Sequence, residues 1–449
     1  MSLMKKSEPV VALDIGTTKV CVLVGKRNEY GKIDILGLGK VDSEGVLRGV
    51  VSNIDKTVKA ISDAVDMAER SSNLEITDIH VGIAGQHIKS LQHRGILTRD
   101  NGQLEIAQTD IDKLINDRYK LVLPPGDKIL HVIPQEYTID HEEGITDPIG
   151  MSGVRLEANF HIITGQISAS NNILRCIEKV GLKTSDMTLE PIASAESVLS
   201  RQEKEAGVVL IDIGGGTTDI TIFQEGIIRH TAVIPFGGNV ITKDIKEGCT
   251  VMNDQAEKLK IKFGCALADE IVDNRIITIS GIKGREPKEI SEKNLSKIVQ
   301  ARLEEIFDYV LWEIRRSGYE RKLIAGIVLT GGGALLKHID LLAEYHTGMP
   351  ARIGLPVEHL AHGYEEQLAS PIFATGIGLL IHGIKLNELK KKETKRPEPV
   401  QDQKVEVIDQ PAPRPVHAHD MANADENWYN RLFTKTKQFF EASPDPDLR

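Results

Sequence analysis

The stretches VVALDIGTTKVCVLV (residues 10–24) and VVLIDIGGGTTDITIF (residues 208–223) read as two copies of one device. Each is an apolar strand, Asp-Ile-Gly, a turn of small residues containing Thr-Thr, and a second apolar strand, which is the pattern of a hairpin with a glycine turn. Each first strand delivers an aspartate, Asp14 or Asp212, to its carboxyl end. Beside it, glycine lets backbone amides approach an anion without side-chain obstruction. One such hairpin is an ordinary structural turn. Two predict facing loops that clasp a phosphate chain. Thr17, Thr18, Thr217 and Thr218 then add hydroxyl donors, and Lys19 adds a cation. Asp14 and Asp212 are placed to hold Mg²⁺ through water, because that ion dehydrates reluctantly and prefers octahedral oxygen. Neither copy is GxxxxGK[ST], and no GxGxxG opens a helix after the first strand, so P-loop and Rossmann readings drop out.

A third glycine cluster lies in IAGIVLTGGGALLKHIDLL (residues 324–342), where Gly331, Gly332 and Gly333 are expected to lead straight into a helix. Such a step brings backbone close to a ligand and suits a nucleoside floor. Between residues 10 and 389 apolar β-branched runs alternate with amphipathic stretches, the pattern of mixed α/β domains. Strands are expected at 10–14, 20–25, 33–38, 208–213, 219–223 and 324–329. Ser52 with Asp55 reads as an acidic capping pair for a helix running through Glu69.

At 449 residues the chain has room for about two to four domains. Its 55 Lys and Arg against 65 Asp and Glu, a formal charge of −10, argue against a broad nucleic-acid-binding surface. Cys21, Cys176, Cys249 and Cys265 lie far apart with no CxxC spacing, which fits buried thiols in a reducing compartment. Asp14 cuts the short apolar stretch of the amino terminus before it could serve as a signal-peptide core. No run of about 18 uncharged apolar residues occurs, so the expectation is a cytosolic protein whose membrane contact, if any, is peripheral.

Beyond Leu389 the composition changes. Residues 390–425 carry Pro397, Pro399, Pro411, Pro413 and Pro415 among charges and read as a flexible linker. Treated as a coil, it has a reach of about 30 to 35 Å. Residues 426–441 then read as an amphipathic helix. Trp428, Tyr429, Leu432, Phe433, Phe439 and Phe440 fall within an arc of about 140°, and Arg431, Lys435 and Lys437 lie outside it. An apolar aromatic face backed by cations suits a membrane interface with anionic headgroups. A helix docking on a protein groove is the plainer alternative.

Taken together, LDIGTTK (13–19), IDIGGGTTD (211–219) and IVLTGGG (327–333), with connecting helices LEPIASAESVL (189–199) and SPIFATGIGLLI (370–381), resemble the actin, Hsp70 and sugar-kinase ATPase superfamily. The resemblance implies an α/β actin-like two-lobed fold with a duplicated core and ATP with Mg²⁺ as cofactors. It puts Asp14 and Asp212 at the metal, and Gly16, Thr17, Thr18, Lys19, Gly214, Gly215, Gly216, Thr217 and Thr218 at the phosphates. Gly331, Gly332 and Gly333 would contact the nucleoside, and Glu257 and Lys260 the ribose and adenine. Glu190 would orient the attacking water, as phosphoryl transfer depends on positioning and charge stabilisation. The bland readings are an i, i+3 surface pair for Glu257 and Lys260 and a helix-start carboxylate for Glu190.

The region between about 70 and 161, with the phrases VALDIGTTKVCVLVG, GIAGQHI and LEPIASAESVL, resembles the FtsA family of bacterial cell-division proteins. That resemblance implies subdomain 1A at 8–82 (with 165–192 and 353–389), an inserted subdomain 1C at 83–164, 2A at 193–240 (with 320–352) and 2B at 241–319. It implies an actin-like protofilament of the chain with itself, on the inner face of the cytoplasmic membrane at the division site. The filament would anchor the FtsZ ring through residues 426–441, with anionic lipid and downstream division proteins as further partners. Lys293, Lys297 and Arg302 are candidate contacts for the acidic FtsZ tail, or plain solvated helix charges. Two competitors share the fold, a small-molecule kinase and a nucleotide-gated adaptor of a pilus or secretion system. For the kinase the sequence offers no convincingly placed catalytic base.

Overall fold

Six buried residues, Val10–Ile15, form a strand (β1) that pairs antiparallel with Lys19–Arg27 (β2), and β2 pairs in turn with Ile33–Asp42 (β3). A two-residue pair, Val46–Leu47 (β4) and Val50–Val51 (β5), precedes helix Ile54–Ser72 (α1). On the other side of β1, Asp78–Ile83 (β6) runs parallel to it, and Lys183–Leu189 (β11) runs parallel to β6. The first lobe is thus a five-stranded mixed sheet of order β11-β6-β1-β2-β3. In a computed structural model of the chain, described for residues 8–281, 286–363 and 366–393, these residues belong to one compact unit.

The second lobe repeats this plan. Val208–Ile213 (β12) pairs antiparallel with Thr218–Gln224 (β13), which pairs with Ile227–Ile234 (β14), while Ile327–Thr330 (β17) and Ala351–Ile353 (β18) extend the sheet in parallel. The order, β14-β13-β12-β17-β18, places a hairpin meander on one side of the central strand and two parallel strands on the other, as in the first lobe. The duplication read from the two hairpins therefore extends to whole sheets.

Helix Glu190–Val198 (α4) and helix Ala374–Glu393 (α10) connect the halves and cross where Gly378 meets Ala193; a Cβ on Gly378 would lie 1.8 Å from the Ala193 carbonyl oxygen. By length and composition α10 could cross a membrane, but Ile377, Leu379, Leu380, Ile381 and Ile384 are buried with Val10, Ala12, Leu23 and Ala193. It is a core helix of the first lobe.

The insertion builds its own antiparallel sheet, order β7-β10-β8-β9, from Lys89–Thr98 (β7), Asp127–Ile139 (β8), Glu142–Ile145 (β9) and Arg155–Gln166 (β10). Gln108–Arg118 (α2) covers it through Ile111 and Leu114, over a core centred on Phe160 and Leu156. Ile167–Lys179 (α3) returns the chain to the first lobe. In the second lobe, after Arg201–Ala206 (α5), come Gly238–Cys249 (α6), Asn253–Phe263 (α7), the hairpin Ile276–Ile279 (β15) with Lys288–Ser291 (β16), the long Glu292–Ser317 (α8), and Ile339–Thr347 (α9).

Several expectations shift. The cap of α1 is Asn53, whose side chain accepts the Lys56 N–H at 3.0 Å, because Ser52 Oγ is committed to the Gly45 carbonyl. The strand expected at 324–329 starts only at Ile327, since Gly326 turns the backbone at φ +69°. Gly331 to Gly333 do not lead straight into a helix: a short 3₁₀ turn, Gly332–Leu335, intervenes before α9. Helix α10 continues to Glu393, four residues into the stretch read as linker. The remaining linker, the helix expected at 426–441 and its residues Trp428 to Phe440 lie outside the described residues.

Candidate functional site

Both hairpin turns span four residues. Ile15 pairs with Val20 around Gly16–Lys19, and Ile213 pairs with Thr218 around Gly214–Thr217. This equal length corrects the sequence alignment of the two Thr-Thr pairs. Thr17 and Thr18 are loop residues, whereas Thr218 is already in β13, fully buried, with its hydroxyl donated to the Phe236 carbonyl at 3.0 Å. Thr218 therefore points into the lobe and is not among the residues that line the cavity between the loops. The extra glycines of the second copy displace its second threonine, Thr218, into the strand and leave Thr217 in the turn.

The loops meet. A Cβ on Gly215 would lie 2.4 Å from Thr18 Cγ2, and one on Gly216 would lie 2.6 Å from Thr17 Oγ1 and 2.9 Å from Arg48 Cα. At Gly216, where backbone of Arg48 is part of the obstruction, only glycine permits so close an approach. The two loops line one cavity of about 320 Å³ between the lobes, together with Asp14, Asp212, Asp219, Glu190, Lys19, Gly331 and Gly332. Gly331, at φ +81°, passes so near Asp212 that a side chain there would collide with Oδ1 at 2.2 Å. Gly332 has open space around it, whereas Gly333 is packed against Ile213 and does not line the cavity.

Glu257 and Lys260 lie one layer back from this cavity. They pair at 2.9 Å, and Lys260 Nζ donates to the Gly238 carbonyl at 3.0 Å and to Thr242 Oγ1 at 2.8 Å. Gly238 in turn donates its N–H to the Gly214 carbonyl, so the pair braces the second loop, and Ile261 is the α7 residue that reaches the cavity.

The electrostatics of the cavity are dominated by crowded carboxylates. Lys19 donates to Asp14. Burial is the largest single influence and works against the lysine charge, but Asp14, Cys21 and Glu190 together outweigh it and the ammonium is held above its usual range. Asp212 faces Asp219 directly across β12 and β13, an unfavourable cross-strand pairing of like charges. Burial, reinforced by Asp212, pushes the Asp219 carboxyl up to about 8, and its Oδ1 is buried with no hydrogen-bond partner. Burial raises Asp212 against the hydrogen bond from Ser194. Glu190 is held well above the carboxylate range by burial and then by Asp14, Asp219 and Asp212. Gly82 leaves the room Glu190 occupies; a Cβ there would lie 2.7 Å from its Cγ.

The clustered carboxylates and the orphaned Asp219 oxygen make a donor set that fits a cation. No group of three or more His, Cys, Asp or Glu converges as a direct cage among the described residues. The glycine-lined loops and Lys19 fit an anion beside the cation.

Sequence reasoning missed Asp219, Ser194 and Thr375. Ser194 Oγ and Thr375 Oγ1 both approach Asp212 Oδ2, at 2.8 and 3.3 Å, so both connecting helices steady this carboxylate. Both connecting segments open with Pro-Ile and carry a small hydroxyl residue shortly after, a repeat that could have pointed to them. Away from the cavity, Lys293 pairs with Asp269 at 3.4 Å. Lys297 and Arg302 line a shallow depression on α8, where Arg302 grips Asp244 in a bidentate pair at 2.5 and 3.1 Å.

Twin sheets, crossing helices and facing glycine loops define an actin-like two-lobed fold. Among solved structures, a PilM–PilN type IV pilus biogenesis complex matches with a TM-score of 0.62 at 15% identity, over 84% of this chain and 98% of that one. MreB5 of Spiroplasma citri, bound to ADP, matches with a TM-score of 0.50 at 16% identity, over 86% and 98%. The family described as "Cell division protein FtsA" matches residues 209–378, and "SHS2 domain inserted in FTSA" matches residues 85–164. Cell division protein FtsA of Pseudomonas aeruginosa is 43% identical over 385 residues, 86% of this chain and 91% of that protein. The chain belongs to the FtsA family and is an actin-like protein of bacterial cell division.

Proposed function

We propose that the interlobe cavity takes Mg·ATP, and that the loaded chain assembles into an actin-like filament on the inner face of the cytoplasmic membrane. There it anchors the FtsZ ring through the amphipathic helix of residues 426–441. The observation that carries the nucleotide reading is the contact of two glycine loops, one from each lobe, over the carboxylates Asp14, Asp212 and Asp219. ADP bound in the similarly folded MreB5 supports it.

In this reading the N–H groups of Gly16 and Gly214 close their own turns by donating to the carbonyls of Lys19 and Thr217, and the amides of Gly215 and Gly216 with the hydroxyls of Thr17 and Thr217 hold the phosphates. Lys19 turns from Asp14 to the phosphate chain. Asp14, Asp212 and Asp219 orient waters around Mg²⁺, which supplies charge neutralisation and thereby favours the ionised carboxylates. Glu190, at the start of α4, orients the water that attacks the terminal phosphate, so turnover is slow unless that carboxylate is correctly ionised and aimed.

A single tail helix buries little apolar area and holds lipid weakly, but several on one filament bind far more strongly through effective concentration. Nucleotide-driven assembly then controls membrane residence. Downstream division proteins would meet the filament there.

The deciding experiment is titration calorimetry of Mg·ATP into the full-length protein and into Asp14→Asn/Asp212→Asn. We expect binding by the parent and loss of at least tenfold, about 1.4 kcal/mol, in the double variant. No heat with folded parent protein sinks the reading.

A further inference from the structure

The inserted subdomain touches both lobes. Toward the second lobe it holds the edge strand β14. Ser90 Oγ donates to the Thr231 carbonyl at 2.9 Å, Gln135 Nε2 donates to the Ile228 carbonyl at 2.7 Å, and His161 Nε2 lies 2.9 Å from Thr231 Oγ1. Arg229 of β14 reaches back to Glu136 at 2.6 Å. Toward the first lobe, His131 in β8 accepts the N–H of Leu189 on Nε2 at 3.0 Å. Leu189 is the last residue of β11 and the N-cap of α4, and the next residue is Glu190.

This hydrogen bond specifies the ring. An accepting Nε2 places the proton of a neutral imidazole on Nδ1. Burial pulls the His131 pKa down to about 4 against the opposing pull of Asp186, so the accepting lone pair is present at neutral pH.

We propose that His131 is a positioning residue that links the inserted subdomain to the nucleotide site, passing a shift of one lobe against the other to the strand-to-helix step that aims Glu190. The inference rests on the nucleotide-binding reading above and adds a regulatory path to it. When the lobes move, β14 carries the insert with it, because parting them takes the insert's donors from the Thr231 and Ile228 carbonyls and Glu136 from the buried Arg229, which would keep only Glu225. The insert is also fixed to the first lobe through its two chain crossings, so its tilt is read at Leu189. The coupling is reciprocal, and whatever holds the insert from outside biases the cleft.

The test compares full-length protein with His131→Gln and His131→Leu. Glutamine carries an acceptor oxygen about as far from Cα as Nε2, whereas leucine fills space without one. Hydrogen exchange is followed in peptides covering 127–139 and 184–198, with and without Mg·ATP, beside calorimetric affinity. In the parent and in His131→Gln, nucleotide is expected to slow exchange in both segments. In His131→Leu the affinity should stay within about twofold. The slowing in 127–139 should shrink by roughly threefold or more. Ser90→Ala/Gln135→Leu cuts the linkage at the other lobe with His131 intact and should suppress the same response, which covers failure of His131→Leu to fold. An insert that responds to nucleotide equally in the parent and in both cut variants overturns the inference alone, as does loss of the response in His131→Gln. A parent that binds no Mg·ATP overturns the nucleotide reading and this inference with it.

Discussion

Thr17 and Gly216, contributed by opposite lobes, lie so close that a β-carbon on the glycine would stand 2.6 Å from the threonine hydroxyl oxygen. The same carbon would meet backbone atoms of Arg48 at 2.9 and 3.0 Å, so the obstruction cannot be relieved by turning one side chain. At Gly215 the neighbour is the methyl of Thr18, an exposed side chain that can swing.

Gly216→Ala should therefore wedge the lobes apart and weaken Mg·ATP binding by about tenfold or more, some 1.4 kcal/mol, while Gly215→Ala costs only a few-fold. Calorimetry on both variants checks the ranking. Equal affinities would mean that the loops separate before they bind.

A second prediction concerns proton linkage. Asp219 has a folded pKa of about 8, against about 3.9 in an unfolded chain, so the folded state holds the extra proton between those values. Stability of the nucleotide-free protein should then be greatest on the acid side and fall as pH rises toward 8, by up to about 1.4 kcal/mol per pH unit for one proton. Asp212 and Glu190 shift in the same direction and add to the slope. Asp219→Asn should flatten the dependence of Tm on pH between 5 and 8, and it should weaken Mg·ATP binding. Parallel Tm curves for parent and variant would remove Asp219 from this account.

The hairpins were legible because their information is local: strand periodicity, an aspartate at the strand end and a glycine turn. The second sheet's likeness to the first follows from the same repeat. What stayed hidden is registry and long-range approach. Thr218 looked equivalent to Thr18 until the equal loop lengths put it inside a strand. Asp219 gained its meaning only when pairing set it opposite Asp212. His131 and Leu189 carry no shared motif, and their contact is a product of how the insert folds back on the first lobe.

On α8, Arg302 is already gripped by Asp244 and also pairs with Glu305, whereas Lys297 beside it has no carboxylate partner among the described contacts of the depression. If the acidic FtsZ tail docks there, Lys297→Glu should lower its affinity by about tenfold through charge reversal. Arg302→Ala should instead act first on stability, by about 1 to 3 kcal/mol, because it leaves the half-buried Asp244 unpaired. Fluorescence anisotropy with a labelled tail peptide, together with thermal melts, separates the two effects.

The tail makes the last prediction. Trp428 and Phe433 lie on the apolar arc expected for residues 426–441, and replacing both with aspartate puts two charges where the helix would enter the acyl boundary. Each aspartate also opposes the pull of anionic headgroups on Arg431, Lys435 and Lys437. The double variant should remain in the supernatant when sedimented with anionic vesicles at low salt, where the parent pellets. Its Mg·ATP affinity should stay within about twofold of the parent, since the described lining of the interlobe cavity is drawn from residues between Asp14 and Thr375. Because binding through several helices multiplies, the difference should widen under conditions that assemble the protein. Vesicle binding equal to the parent's would move the membrane contact away from this helix.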